Sequence, residues 1–327
     1  MLRHLLVLAR VGVCVLALPG LAAAKTKTTK PPRVPRPVHG MQIKVGPIAV
    51  PHGSEVTDCT YLKFPAKKDM AVNKVAIRGT GGTHHIHLYR AQDRTLDVPD
   101  GVQTCNMAVD FDVWQLIFAS QSLRYLWKLP PGVAFHMKAG EQLLAQTHFV
   151  DVGQLSTQGD GWAMYNLYST PERKVKYWAG AFFGQDRDVF VPAHQTSTAT
   201  TNCVFPRPVK LLQITGHYHF RGKRFVATDW DPTPGYQPRV LYSNEGYTDP
   251  AVRTWSDTKR DPAPEVTGIS WTCEYQNDTD QDYKFGPFTQ NNEHCNLFFF
   301  YYPALGKHED MTCVQKSGVA TVTVRDN

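Results

Sequence analysis

From about His39 onward, no window of this 327-residue chain repeats apolar residues at the 3.6-residue period of a helix. Short runs rich in Val, Thr, Tyr, Phe and Trp alternate instead with clusters of Gly, Pro, Asp and Asn, which is the pattern of closely spaced strands and turns. The length exceeds what one core usually serves, so the expected architecture is all-β: two tandem antiparallel β-sandwiches with a cleft between them. Residues 41–184 would form the N-terminal sandwich and 185–327 the C-terminal one. The polar segment Gln185–Thr201 (QDRDVFVPAHQTSTATT) is the expected junction.

Charge is informative once it is located. Residues 1–38 hold seven basic side chains (Arg3, Arg10, Lys25, Lys27, Lys30, Arg33, Arg36) and no acid, so a total of 35 Lys and Arg leaves 28 to set against 29 Asp and Glu in the remainder. The net charge of +6 belongs to the N-terminal segment, and the body lacks the basic surface that nucleic acid requires. Residues 1–24 combine Arg3 and Arg10 with an apolar run from Val11 to Leu21 and a small-residue site at Ala22–Ala24, which reads as a cleaved secretory signal. Residues 25–40 (KTKTTKPPRVPRPVHG) read as a basic, Pro-rich extended linker. No later stretch is apolar enough to span a bilayer, so the expected location is secreted or periplasmic. Removal of the signal takes Cys14 with it and leaves six cysteines, an even number in an oxidising compartment, which implies three disulfides among fifteen possible pairings.

Thirteen histidines carry the chemistry. They cluster in Thr83-His84-His85-Ile86-His87 and in Gly216-His217-Tyr218-His219, with single members at His148 and His294. Strand residues two apart share a face, so His217 and His219 lie about 7 Å apart along one side of a strand, near enough to share an ion. On the same argument His148 shares its face with Gln146, and His294 with Asn296. A pair at 84/85 is followed 63 residues later by His148, and a pair at 217/219 is followed 75 residues later by His294. This repeated order suggests one three-histidine metal site per half. His39, His52, His136, His194 and His308 read as ordinary hydrogen-bonded residues.

At these residues the sequence resembles the copper type II, ascorbate-dependent monooxygenases, the family of peptidylglycine α-hydroxylating monooxygenase and dopamine β-monooxygenase. The resemblance runs from Cys59 to Cys313 through THHIHLY, LPPGVAFHMKAGEQLLAQTHF, GHYHFRGK, EHCNLFFFYY and MTC. It implies two coppers per chain, with ascorbate or a similar reductant as electron source and a small molecule and O2 as substrates. His84, His85 and His148 would hold the electron-storing copper, with Gln146 beside it. His217 and His219 would hold the copper at which oxygen binds, near Asn296, and His294 would be their third partner. The resemblance also implies the pairings Cys59–Cys105, Cys203–Cys313 and Cys273–Cys295. Strand alternation alone would choose His85 and His87 as the first pair, because neighbours point to opposite faces. The adjacent pair His84/His85 needs a bulge, and His87 is the rival ligand.

Two departures from the family qualify the activity. His294 stands where the family has a methionine, and imidazole is a harder donor than a thioether, less biased toward Cu(I). Thr215 stands where peptide-amidating members have an arginine, so there is no clamp for a peptide carboxylate, while Phe298 and Phe300 would make the substrate wall more apolar. The expected activity is hydroxylation of a C–H bond on a small substrate. The alternatives are an exported copper-binding protein without catalysis and a three-histidine zinc hydrolase.

Overall fold

The computed structural model describes residues 30–93, 95–105, 109–120, 122–150, 159–247, 250–286 and 291–326. The proposed signal, 1–24, and the first linker residues, 25–29, lie outside the described residues. The described chain is almost entirely β-strand, with one three-residue 3-10 turn at Glu172–Lys174. No helix among the described residues is long and apolar enough to cross a membrane.

Two sheets make the sandwich that carries the first histidine cluster. A five-stranded antiparallel sheet runs in the order Gly101–Thr104, Glu55–Lys63, Gln142–Val150, Thr83–Ala91, Trp114–Ser120. A fourteen-stranded sheet extends from Gly40–Ile48 at one end to Val240–Glu245 at the other, and its central strands Tyr177–Asp186, Cys295–Ala304 and Thr196–Tyr218 are hydrogen-bonded neighbours. One face of the small sheet supplies Ile86, Leu88, Phe118, Leu143 and Phe149 to a core shared with Val72, Ile77, Phe135 and Tyr165 of the large sheet. A second core, built wholly from residues 182–313, lies around Trp271, Phe225, Tyr218 and Phe299. Period-two alternation explains both: odd and even residues of each strand go to different faces, so every strand feeds a core with half its side chains.

All three disulfides implied by the resemblance are formed. Cys59 is bonded to Cys105, Cys203 to Cys313 and Cys273 to Cys295, with Cα separations of 5.6, 6.5 and 5.8 Å. Cys203–Cys313 spans 110 residues and closes the second core, a constraint worth ~4–5 kcal/mol in the chain-entropy account.

Several sequence expectations are refined. The Pro-rich segment does not run wholly free: the carbonyls of Val34 and Pro35 accept hydrogen bonds from the side chains of Gln42 and Asn166, which fasten this part of the segment to the first sheet edge. Gln185–Thr201 is ordered structure that includes the short strand Phe190–Val191 and the start of the 23-residue strand Thr196–Tyr218, and Thr201 donates to the buried Asp186 carboxylate. Phe300 joins the first core beside Trp127 and Phe135, so only Phe298 of the expected pair remains near the sites. Asn277 is buried, and its Nδ2 donates to the carbonyls of Val191, Pro192 and Gln281.

The early and late parts of the chain are joined by a buried ion pair. Arg90, 2% exposed on the strand Thr83–Ala91, donates through Nε and Nη2 to both carboxylate oxygens of Asp310 at 2.9 and 2.6 Å. The same carboxylate accepts from the backbone N–H of Ala181, and Arg90 Nη1 donates to the carbonyl of His136. A fork that satisfies donors and acceptors at once offsets its own desolvation, whereas losing one partner strands a charge. Asp310→Asn is therefore expected to cost about 3–5 kcal/mol of unfolding free energy, measured by urea denaturation with the three disulfides intact.

Candidate metal centres

Each expected histidine trio is assembled. His84, His85 and His148 present ligand nitrogens all within 4.8 Å of one another, and so do His217, His219 and His294. The strand register explains how the first trio forms. On the pairing of Thr83–Ala91 with Gln142–Val150, Thr83 opposes Phe149 and His85 opposes His148, so His84 is an extra residue inserted between two consecutive partners. This bulge releases His84 from strict alternation and lets two neighbours converge, with their Nδ1 atoms 3.3 Å apart.

His87, the rival, keeps the regular alternation. Its ring stacks on that of His85 with centroids 4.4 Å apart, and its Nδ1 lies 3.1 Å from the hydroxyl of Tyr89. It also hydrogen-bonds Gln146, its cross-strand partner, and stands outside the trio. Gln146 accepts from Tyr89 as well, at 3.4 Å, so it braces the outer face of the sheet through His87 and Tyr89.

The back side of each trio shows which nitrogens face inward. His148 Nε2 lies 2.5 Å from Glu55 Oε1, which leaves Nδ1 for the ion, the atom that His84 and His85 also bring together. In the second trio the order is reversed at His219. His219 Nδ1 donates to the carbonyl of Asn292 at 3.0 Å, which leaves its Nε2 for an ion, and His294 Nδ1 lies 3.4 Å from the side-chain amide of Asn296. Carboxylate, amide and carbonyl groups behind a ring fix its tautomer and orientation. Glu55 and Asn292 were not legible in the sequence. Glu55 lies 93 residues before His148 and reaches it only because Glu55–Lys63 pairs with Gln142–Val150.

His85, His148, His217, His219 and His294 are all held below their ordinary value. Burial first, then His87, His148, His84 and His217, push His85 well below the ordinary value, and burial with the other two members does the same to His294. His217 falls to about 3 and His87 to about 4, again chiefly through burial. His148 and His219 are lowered by burial too, against the opposing pull of Glu55 and of Asn292 respectively. His85 feels His217 and His217 feels His87, so the two groups lie within electrostatic reach of one another. Three converging imidazoles fit a borderline transition metal such as copper, zinc or nickel, and geometry with donor type does not by itself choose among them.

Strands that carry or adjoin the histidines also contribute to an aromatic cluster. Phe111 stacks on Phe183 at 4.2 Å and meets Phe298 at 5.5 Å, and Tyr89 and Trp114 of the small sheet join the same cluster. Asn296 stands opposite His217 in the register of its strand, and its Oδ1 is buried with no hydrogen-bond donor among the described residues. Thr215, on the same face, donates its hydroxyl to the carbonyl of Ala251. No known protein-family profile matches this chain, and no curated protein matches it in sequence.

Two outcomes follow. The depressed histidines bind protons more readily in the unfolded chain, whose imidazoles titrate near 6.5, than in the native one. Stability of the metal-free protein is therefore fully present above about pH 6.5 and falls as the pH drops toward 3, by about 1.4 kcal/mol per pH unit for each such histidine. Thermal unfolding in chelator between pH 7.5 and 5 should show this slope, and a flat profile would contradict it. Separately, Glu55→Gln should weaken metal at the first trio about 10–100-fold while leaving the second unchanged, read by competition with a chromophoric chelator.

Proposed function

We propose that this protein is an exported copper monooxygenase of the type II, ascorbate-dependent kind, hydroxylating a C–H bond of a small substrate that lacks a carboxylate anchor. The observation that carries this reading is the pair of three-imidazole groups, each with its ligand nitrogens within 4.8 Å of one another, His148 turning Nδ1 and His219 turning Nε2 away from its backing group. Bound copper supplies one-electron storage at the first group and oxygen chemistry at the second, with a reductant such as ascorbate as the electron source.

The chain's own contribution is positional. Glu55 and the bulge at His84 hold the first trio rigid, which suits a centre whose coordination should change little on gain and loss of one electron. Asn292 and Asn296 orient the second trio, and Asn296 Oδ1 can accept a hydrogen bond from a group beside His217. Phe111, Phe183 and Phe298 favour an apolar substrate surface. Thr215, already committed to Ala251, offers no charge to a carboxylate. Three disulfides and the N-terminal apolar segment support export.

The imidazole of His294, in place of a softer thioether, favours a second reading in which the chain binds copper tightly without turning over oxygen. One experiment separates these readings and the zinc hydrolase. Protein purified without added metal should contain two coppers per chain, falling toward one in His294→Ala and staying near two in His294→Met. Oxygen uptake with ascorbate and an apolar substrate set should be measurable in the wild type and reduced in the alanine variant. Copper without any such uptake would leave the binding reading, and zinc in both groups would leave the hydrolase.

A further inference from the structure

A third place in the molecule brings imidazoles together, in residues that the sequence suggested were unremarkable. His136, in the strand Val133–Met137, and His308, in the turn before Glu309–Lys316, are 2% and 9% exposed. Their Nδ1 atoms are 3.4 Å apart and the rings cross edge to face with centroids 4.0 Å apart. Two nitrogens bound to one tetrahedral ion at about 2.0–2.1 Å must lie about 3.3–3.4 Å from one another. His84 and His85 of the first trio show the same spacing, 3.3 Å between Nδ1 atoms.

His136 Nε2 lies 3.3 Å from Asp69 Oδ2, a charge contact without hydrogen-bond geometry, and Asp69 Oδ1 accepts from the backbone N–H of Ala139. The front opens on space. A cavity of about 170 Å³ is lined by His308 together with Arg90, Lys138, Glu141 and Gln142, room for the waters that a two-ligand ion needs to complete its coordination. Burial, with Lys307 and Arg90 nearby, keeps His136 below its ordinary value against the pull of Asp69 and Glu172, so it is held in the neutral form that binds metal.

The geometry points to a third divalent-metal site, formed by His136 and His308 with the Asp69 carboxylate charge beside His136, separate from both three-histidine groups. Two imidazoles and water suit Zn²⁺, Cu²⁺ or Ni²⁺. Having one protein ligand fewer, and two cationic neighbours, it binds more weakly than either trio. The site goes beyond the oxygenase reading and does not depend on it.

The test uses metal-free, full-length protein titrated with Zn²⁺ by calorimetry, and crystals of the zinc-loaded protein measured at the zinc edge. The wild type should take up three zinc ions, the third more weakly, with an anomalous peak between His136 and His308. His308→Gln should lose that peak and the weak phase and keep the peaks at both trios. Asp69→Asn, at a half-exposed side chain remote from the core, should weaken the third phase about 10–100-fold and decides the matter if His308→Gln folds poorly. Absence of the peak in the wild type, or its persistence at full occupancy in both variants, overturns the site and leaves an N–H···N hydrogen bond between the rings. The peak position distinguishes this failure from a failure at the trios, which would remove peaks elsewhere.

Discussion

The alternation of side chains along a strand is the constraint on which both the cores and the candidate metal centres rest. On Thr83–Ala91, Ile86 and Leu88 enter the first core, while His85, His87 and Tyr89 take the opposite face. On Cys295–Ala304, Leu297, Phe299 and Tyr301 enter the second core, and Asn296 and Phe298 face the sites. Because each histidine-bearing strand is fixed by its buried half, the polar half is positioned at no further cost in backbone order. The single extra residue at His84 departs from this rule where three imidazoles must converge.

Such convergence is costly in the absence of an ion. Desolvated rings lower one another's proton affinity, so protonation cannot relieve the crowding at neutral pH, and the native fold holds the rings ready for a cation. Glu55 and Asn292 then bear on which nitrogen of His148 and His219 is offered, Nδ1 on the first and Nε2 on the second. Two centres built from the same residue type thereby acquire different geometry. That difference is what a division between electron storage and substrate chemistry calls for.

The two groups also depend on ties between distant parts of the chain. Arg90, on an inner strand of the sheet that carries the first trio, forms a buried fork with Asp310, and Cys203–Cys313 closes the second core. Phe111 packs on Phe183, which packs on Phe298, linking the small-sheet side to the large sheet. A change in any of these would alter the relation between the trios without touching a ligand.

The sequence by itself determined the all-β character, through its period-two runs, and five histidines of the two trios, through their order and spacing, while the resemblance supplied His84 with His87 as rival. The resemblance also supplied the three cysteine pairings that are formed. Only the tertiary structure chose between His84 and His87, because a bulge is a property of register between two strands and leaves no local pattern. It also revealed Glu55 behind His148, the burial of Asn277, the departure of Phe300 into the core, and the meeting of His136 with His308 across 172 residues. Periodicity is written in neighbouring residues, whereas these contacts arise from which strands pair and how sheets pack, and that is settled only when the whole chain buries its apolar surface at once.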